Sequence, residues 1–586
     1  MLKFTPKAVS SAILSMVIAA TSCGSAFGEE VRGPSDHGDP RGPSGHDRTA
    51  TPIKHLVIIF GENESFDHYF GTYPTATNPP GEPAFTAKQG TPPVNGLTKA
   101  LLTNNPNLNA ANGAGATNPF RLDRSQAHTS SMNHNYGPEQ QAFDDGKMDL
   151  FPKFTGHAGT GGTGVFETTG LVMGYFDGNT VTALWNYAQH FAMSDNSFSS
   201  TFGPSSPGAV NLVSGQTNGA KGFLAGPVLA QQAALGLPNA KGATPVAEAT
   251  TASQGNNILD DGQGGFTMIG DSDPVGDACS STSSPTTEMT GTNIGDLLNA
   301  RNITWGWFEG GFDLTLTNAN GTTGCQRSST SITLNNSFVA DYVPHHQPFQ
   351  YYPSTRNPLH TRPSSVAVIG TSHDGGANHQ YDTHDFFDAL QAHNLPSVTF
   401  LKAPAFQDAH PSNSDPLDEQ TFVVTVLNAL QESEFWDDTA VVIAYDDSDG
   451  WYDHVNHVIN PSTSTQDFLI AAGECGPLSG HEKLTPGTVP SVALPGIKGK
   501  PVDGRCGYGT RQPLLVISRF AKPNFVDHDV TDQSSIIRFV EDNWLDGERV
   551  PGSFDRIAGT LENMLDFHQR PTPKLILDPT LGTPTN

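Results

Sequence analysis

The sequence predicts an α/β protein built on a central, mostly parallel sheet with helices on both faces. The first sign is the stretch KHLVIIFGENESFDHYFGTYP, residues 54–74, in which the run Leu56 to Phe60 is short, β-branched and closed by Gly61. An apolar run of that kind reads as a strand buried on both faces. The second sign is alternation: further strand candidates at Ile303–Phe308, Val366–Ile369, Val398–Leu401, Ala440–Tyr445 and Leu514–Ser518 are separated by amphipathic stretches such as Asp385–Ala392 and Glu419–Ser433. Strands alternating with helices indicate a parallel sheet covered on both sides. The third sign is the placement of Glu62 and Asn63 directly after the first strand, where open α/β sheets bind their ligands.

Of the 586 residues, the first 28 carry Lys3 and Lys7, an apolar stretch from Ala8 to Ala20 and the small-residue exit Ala26-Phe27-Gly28, which together read as an export signal. The expected location is periplasmic or secreted. Cys23 offers a lipid-anchor alternative, although Ala20 stands where such a signal has Leu. Residues 29–51 read as a flexible leader of Gly, Pro and charge. The folded unit is expected over 52–575, with 576–586 as a tail. Within it, 216–292 turns rich in Ala, Gly, Ser, Thr and Asn and is expected as a surface insertion or cap. No other segment approaches the roughly 18 consecutive apolar residues of a membrane span.

Beyond the leader, Cys279, Cys325, Cys475 and Cys506 remain, an even number suited to an oxidising compartment. Sequence-local pairing joins Cys279 to Cys325 and Cys475 to Cys506. The formal charge of −28 argues against a nucleic-acid backbone as partner. An anionic substrate would need local positive charge in so acidic a protein, and a bound metal ion supplies it.

Three segments carry candidate chemistry. Glu62-Asn63 is the first. The second is YDDSDGWYDH, in which Asp446 and Asp447 end a strand; oxygen ligands there suit Mg2+, Ca2+ or Mn2+, and Asp also takes part in zinc sites. A pair of aspartates also serves as a turn cap. An EF-hand reading fails, because Tyr445 and Asn456 occupy its first and twelfth places. The third is TFGPSSPGAVNLVSGQ, residues 201–216, where Ser205 opens a helix with Pro207 in its first turn. A hydroxyl there faces orphan amide donors and the positive end of the dipole, which suits phosphate, although a serine at such a place is most often only an N-cap. Histidines recur in polar clusters at His134, His345, His346, His379 and His410, and histidine can protonate an ester's leaving group near neutral pH.

Taken in order, ENESFDHYFG, NHNYGPEQQAFDDGKMDLF, FGPSSPGAVNLVSGQT, HHQPFQYY, NHQYDTHDFFDAL, SVTFLKAPAFQDAHPSNSDPLDEQ and YDDSDGWYDHV resemble the bacterial phosphoesterase family that unites secreted phospholipases C with acid phosphatases. That family is a branch of the alkaline-phosphatase-like superfamily. The resemblance spans Ile53 to Trp544. It implies one divalent ion, Ca, Mg, Mn or Zn, held by Glu62, Asn63, Asp446 and Asp447, with Ser205 bound to it as nucleophile. It places the active-site histidines at His134, His410 and His346, the last preferred over His345. Lys147 and Lys402 are further candidates for phosphate contacts. Ser205 followed by Ser-Pro-Gly-Ala, where phospholipases have Gly-Pro-Thr-x-Pro-Asn-Arg, looks closer to the phosphatase branch.

The function this implies is phosphate-monoester hydrolysis through a phosphoseryl intermediate on Ser205. One alternative is a phospholipase C acting on phosphatidylcholine-type lipids, for which Trp185, Tyr187, Trp451 and Tyr452 could cage a choline head group. Another is a non-catalytic secreted metal-binding protein. The expected partner is a phosphate ester, either a small molecule or a phospholipid head group. The cysteine signature of sulfatases is absent around Ser205.

Overall fold

The computed structural model describes residues 49–144, 146–249, 257–260, 265–331, 337–456 and 507–585. The expected export signal, most of the leader, and Cys475 and Cys506 lie outside the described residues. Among the described residues the main sheet has nine strands: β1 His55–Gly61, β2 Ala192–Phe198, β3 Trp305–Glu309, β4 Gln380–Asp382, β5 Val398–Lys402, β6 Thr439–Tyr445, β7 Arg511–Ser518, β8 Phe525–Asp527 and β9 Thr531–Asp532. Their order is β4-β3-β5-β1-β6-β7-β2-β8, with β9 also pairing to β2. Only β7 runs against its neighbours; every other pairing is parallel. The expected mostly parallel α/β fold is therefore present. Every residue of β6, and all of β1 after His55, is buried. Successive strand residues face opposite sides, so the centre of the sheet is covered on both.

Six helices matter for the site: α1 Phe66–Phe70, α2 Tyr136–Phe143, α3 Ser205–Ser214, α4 Thr383–Gln391, α5 Pro416–Glu432 and α6 Gln533–Trp544. Their starts follow local chemistry. Asp382 and Asp385 form a capping box on α4, and Asp415 caps α5 ahead of Pro416 at its first position. Val366–Ile369 is not a strand: Val366–Val368 is a single 3-10 turn. The run is closed by Gly370 at φ 84°, and only Ile369 of the four is buried, which a fully buried strand would not allow.

The chain is anchored earlier and later than expected. Ala50 N donates to Asn543 O at 2.9 Å and Thr51 N to Asn543 Oδ1 at 2.9 Å. Leu577 is buried and exchanges hydrogen bonds with Asn428 of α5. The stretch 216–292 carries its own four-stranded antiparallel sheet, in the order Ile258–Asp260, Phe266–Met268, Asn218–Phe223, Thr286–Met289. Ala220, Ile258, Met268 and Met289 of that sheet pack into the main core. The expected Cys279–Cys325 disulfide is formed, fastening this insertion to the chain that follows β3.

On the other side of the site, Arg511 of β7 is fully buried. It donates to Asp67 at 3.1 Å, to Asp453 at 3.0 Å and to the carbonyls of Asn95 and Asp195, and its guanidinium lies 4.2 Å from the Phe66 ring centroid. Removing one partner of a buried ion cluster leaves uncompensated charge. Arg511→Met is therefore expected to cost about 3–5 kcal/mol, read as a lowered denaturation midpoint; a midpoint unchanged from wild type would refute this account of the cluster.

Candidate active site

The site lies where four adjacent strands end. β3 ends at Glu309, β5 at Lys402, β1 at Gly61 just before Glu62, and β6 at Tyr445 just before Asp446. Lys402 pairs with Glu309 in register, and Gly61 with Tyr445. Gly61 has to be glycine, because a Cβ there would lie 2.7 Å from the Tyr445 ring. Beyond it the chain turns sharply, with Asn63 at φ 60°, a left-handed conformation that asparagine tolerates better than most residues. Asn63 N and Asp447 N both donate to Asp446 Oδ1, at 3.1 and 2.7 Å, and Glu64 N donates to the Asp447 carbonyl at 2.9 Å. The two strand ends are thus tied into one loop pair.

Ser205 is the first residue of α3. Its Oγ lies 3.0 Å from Glu62 Oε2, 3.1 Å from Asp447 Oδ2 and 3.4 Å from Asn63 Oδ1. The close approach of α3 depends on Gly208, where a Cβ would sit 2.1 Å from the Asp446 carbonyl. The Ser-Pro-Gly-Ala sequence is therefore a packing requirement of the site.

Three oxygens compete for the single Ser205 proton, and Asp446 Oδ2 is buried with no hydrogen-bond donor among the described residues. The ends of the Asn63 carboxamide are assigned from its neighbours. With the oxygen towards Ser205 it joins that cluster; with the nitrogen there, both ends are satisfied, the nitrogen donating to Glu62, Asp446 and Asp447 and the oxygen accepting from His410 Nε2 at 3.2 Å. A converging set of carboxylate, amide and hydroxyl oxygens fits a hard divalent cation. The electrostatics agree: burial, then the Asp446 charge, pushes Glu62 well above the usual carboxylate range. Burial pushes Asp447 up as well, with Asp446 adding to it against the pull of His134. Asp446 moves down despite its burial, because Lys402 and several hydrogen bonds favour its charged form.

The histidines stand around this cluster. His134 Nδ1 lies 3.0 Å from Asp449 Oδ1. Burial opposes its charge, but Asp447 and Asp449 outweigh that and raise its pKa well above the ordinary value. His410 is lowered, first by burial and further by His134, against the pull of Asp449. The two rings are 6.2 Å apart and nearly perpendicular. His346 is buried with Nδ1 3.2 Å from Glu62 Oε1, whereas His345 turns to Asp273 of the insertion, also at 3.2 Å. His346 is thus the member of the pair that meets the cluster. His379 lies elsewhere, stacked on Trp305.

Several expectations need revision. Lys147 is 58% exposed and paired with Asp144 at 2.9 Å. Lys402 is buried, ion-paired with Glu62 and 3.5 Å from Asp446 Oδ2. Trp185, Tyr187, Trp451 and Tyr452 are all core residues; Trp185 packs on Phe70, Tyr73 and Phe85, and Trp451 stacks on His68. The amides at the start of α3 are not all orphaned: Ser206 N donates to Asp271 Oδ1 at 3.0 Å and Gly203 N to Glu139 Oε2 at 2.8 Å. Asp408, Asp449 and Asp271 also belong to the site. Asp449 stands in the YDDSDG run, and Asp408 only two residues before His410.

A mostly parallel sheet that gathers carboxylates, histidines and a helix-opening serine at its carboxyl strand ends is the architecture of an α/β enzyme. The chain belongs to the Phosphoesterase family, whose sequence model matches residues 53–545. It is 33% identical over 159 residues to the non-hemolytic phospholipase C of Pseudomonas aeruginosa, covering 26% of this chain and 21% of that protein. It is 26% identical over 201 residues to phospholipase C A of Mycobacterium tuberculosis, covering 34% of each. With the non-specific phospholipase C6 of Arabidopsis thaliana it shares 39% over 84 residues, 13% of this chain and 16% of that one. The matches thus span about a third or less of these curated relatives.

Proposed function

We propose that the protein is a metal-dependent phosphoesterase that hydrolyses phosphate monoesters through a phosphoseryl intermediate on Ser205. The observation that carries this is the Ser205 hydroxyl held at a helix start within 3.0–3.4 Å of Glu62, Asn63 and Asp447. A divalent ion held by Glu62, Asn63, Asp446 and Asp447 would lower the Ser205 pKa and neutralise charge on the phosphoryl group. Ser205 Oγ passes its proton to Asp447 Oδ2, 3.1 Å away, as it attacks phosphorus and the ester oxygen leaves, and recovers a proton when the phosphoserine is cleaved. His134, kept protonated by Asp447 and Asp449, donates the proton that oxygen needs; His410, kept neutral by burial, takes a proton from the water that cleaves the phosphoserine. Asp271 and Asp273 bring the 216–292 insertion to the wall of this site, as a cap would. The Cys279–Cys325 disulfide supports a place outside the cytoplasm. No helix among the described residues is long and apolar enough to cross a membrane.

Phospholipase C activity is the second reading, favoured by the names of the relatives. Burial of the four aromatic residues removes one way of caging choline. Purified protein assayed from pH 4 to 9 is expected to turn over p-nitrophenyl phosphate faster than p-nitrophenylphosphorylcholine. kcat/KM should fall as His134 loses its proton, above its ordinary value, whereas kcat should rise as His410 loses its own, below its ordinary value. Preference for the diester would transfer the assignment to phospholipase C. Inactivity on both would leave the non-catalytic metal-binding reading.

A further inference from the structure

Glu62 uses its two carboxylate oxygens differently. Oε2 faces Ser205 at 3.0 Å, while Oε1 faces away from it, towards the Lys402 ammonium and His346 Nδ1 at 3.2 Å. Asp446 is divided in the same way: Oδ1 accepts the Asn63 and Asp447 amides, and Oδ2 points to Lys402 at 3.5 Å. Asp408 approaches from a third side, its Oδ2 3.8 Å from His346 Nδ1. Asp408 Oδ2 and Asp446 Oδ2 are fully buried and neither has a hydrogen-bond donor among the described residues. The ligand atoms of Glu62, His346 and Asp408 all lie within 4.8 Å of one another. Glu62 and Asp446 thus face the Lys402 ammonium, and Asp408 and His346 gather at the same Glu62 carboxylate.

That is the donor set of a divalent cation, with a lysine in it. Carboxylate oxygen and histidine nitrogen are the ligands that Zn2+ and Mn2+ take, and in two-ion hydrolytic sites, with the ions about 3.5–4 Å apart, both act on the reacting group. A lysine ammonium is a compact point charge with three donors, able to balance buried carboxylates but unable to accept a lone pair from water or substrate. We propose that Glu62, Asp408, Asp446 and His346 form a second cation position beside the Ser205 cluster, that the Lys402 ammonium fills it, and that a divalent ion enters when this ammonium is removed. Lys402 on this view keeps the site mononuclear. The proposal rests on the reading of Glu62, Asn63, Asp446 and Asp447 as holders of a first ion.

The test is metal content. Wild type, Lys402→Ala, Lys402→Arg and the double variant Lys402→Ala/Asp408→Asn are equilibrated with Mn2+, freed of excess and counted by elemental analysis, with electron paramagnetic resonance on the same samples. Wild type and Lys402→Arg are expected to hold one ion per chain and to show isolated Mn2+. Lys402→Ala is expected to hold two, with the spectrum of an exchange-coupled pair, and the double variant to return to one because Asp408 serves only the second position. One ion in both wild type and Lys402→Ala overturns the proposal and leaves the first site standing. No ion in wild type overturns the first-ion reading; the second position then stands or falls on whether Lys402→Ala gains one. Circular dichroism with and without Mn2+ checks folding, and Lys402→Met, which retains the side-chain volume, is the second variant. If neither neutral variant folds at any Mn2+ concentration, the ion does not replace the ammonium and the proposal fails.

Discussion

Replacing Ser205 by alanine is expected to lower kcat for a phosphate monoester by about 10^4- to 10^6-fold, the range seen when an activated nucleophile is deleted, with the fold intact. The hydroxyl is buried at the start of α3, and its neighbours are the oxygens of Glu62, Asn63 and Asp447. Alanine keeps the Cβ at this buried helix start, so thermal midpoint and circular dichroism should match wild type. The loss should appear in the first turnover: wild type quenched during hydrolysis of a radiolabelled phosphate ester should carry label on Ser205, and the variant none. Label on another residue, or turnover within tenfold of wild type, would remove Ser205 from its assigned role.

Removal of divalent metal by a chelator is the second large effect. Glu62, Asp446 and Asp447 are buried side by side, with Lys402 paired to Glu62 and Asp446, so a tightly held ion would contribute to folding as well as to turnover. At a free metal concentration 100 times Kd the linkage amounts to about 2.7 kcal/mol. The pH dependence has a definite sign. Glu62 and Asp447 have folded pKa values above their unfolded ones; without metal, each gives a contribution that is complete below the unfolded pKa and is lost as pH rises through the folded pKa. Protons and metal compete for these oxygens. The midpoint difference between metal-loaded and chelated protein should therefore be small near pH 4 and widen towards pH 7, accompanied by loss of activity that added metal restores. Unchanged turnover and midpoint after exhaustive chelation would overturn the metal assignment.

Much of this site was legible because one rule locates it: polar residues at the carboxyl ends of buried parallel strands. Glu62, Asn63, Asp446 and Asp447 were found that way, and the same rule points to Lys402 and Glu309, which end β5 and β3. What it could not supply was strand order, and order decides that Lys402 meets Glu62 instead of a substrate. The aromatic residues misled for a related reason. A tryptophan or tyrosine near a motif carries no mark of which way it faces, and Trp185 and Trp451 face the core. Asp271 was out of reach because it lies 65 residues from its partner Ser206, in a segment whose composition reads as loop. Val366–Ile369 shows the limit of short apolar runs, which suit a buried strand and a half-exposed turn equally. The choice between His345 and His346 depends on a single 3-10 turn, Pro344–His346, that sends consecutive side chains in different directions.

The pairing of β1 with β6 has a kinetic meaning. Asn63 and Asp446 meet across 383 residues of chain and Ser205 and Asp447 across 242, so long loops close this centre. Contacts of such sequence separation form slowly, because loop-closure entropy must be overcome before they stabilise anything. No fragment ending before Asp447 can assemble the centre, and during synthesis Glu62 and Asn63 wait for most of the chain to emerge before their partners exist. On the metal assignment proposed above, ion capture is a late event that marks the finished fold.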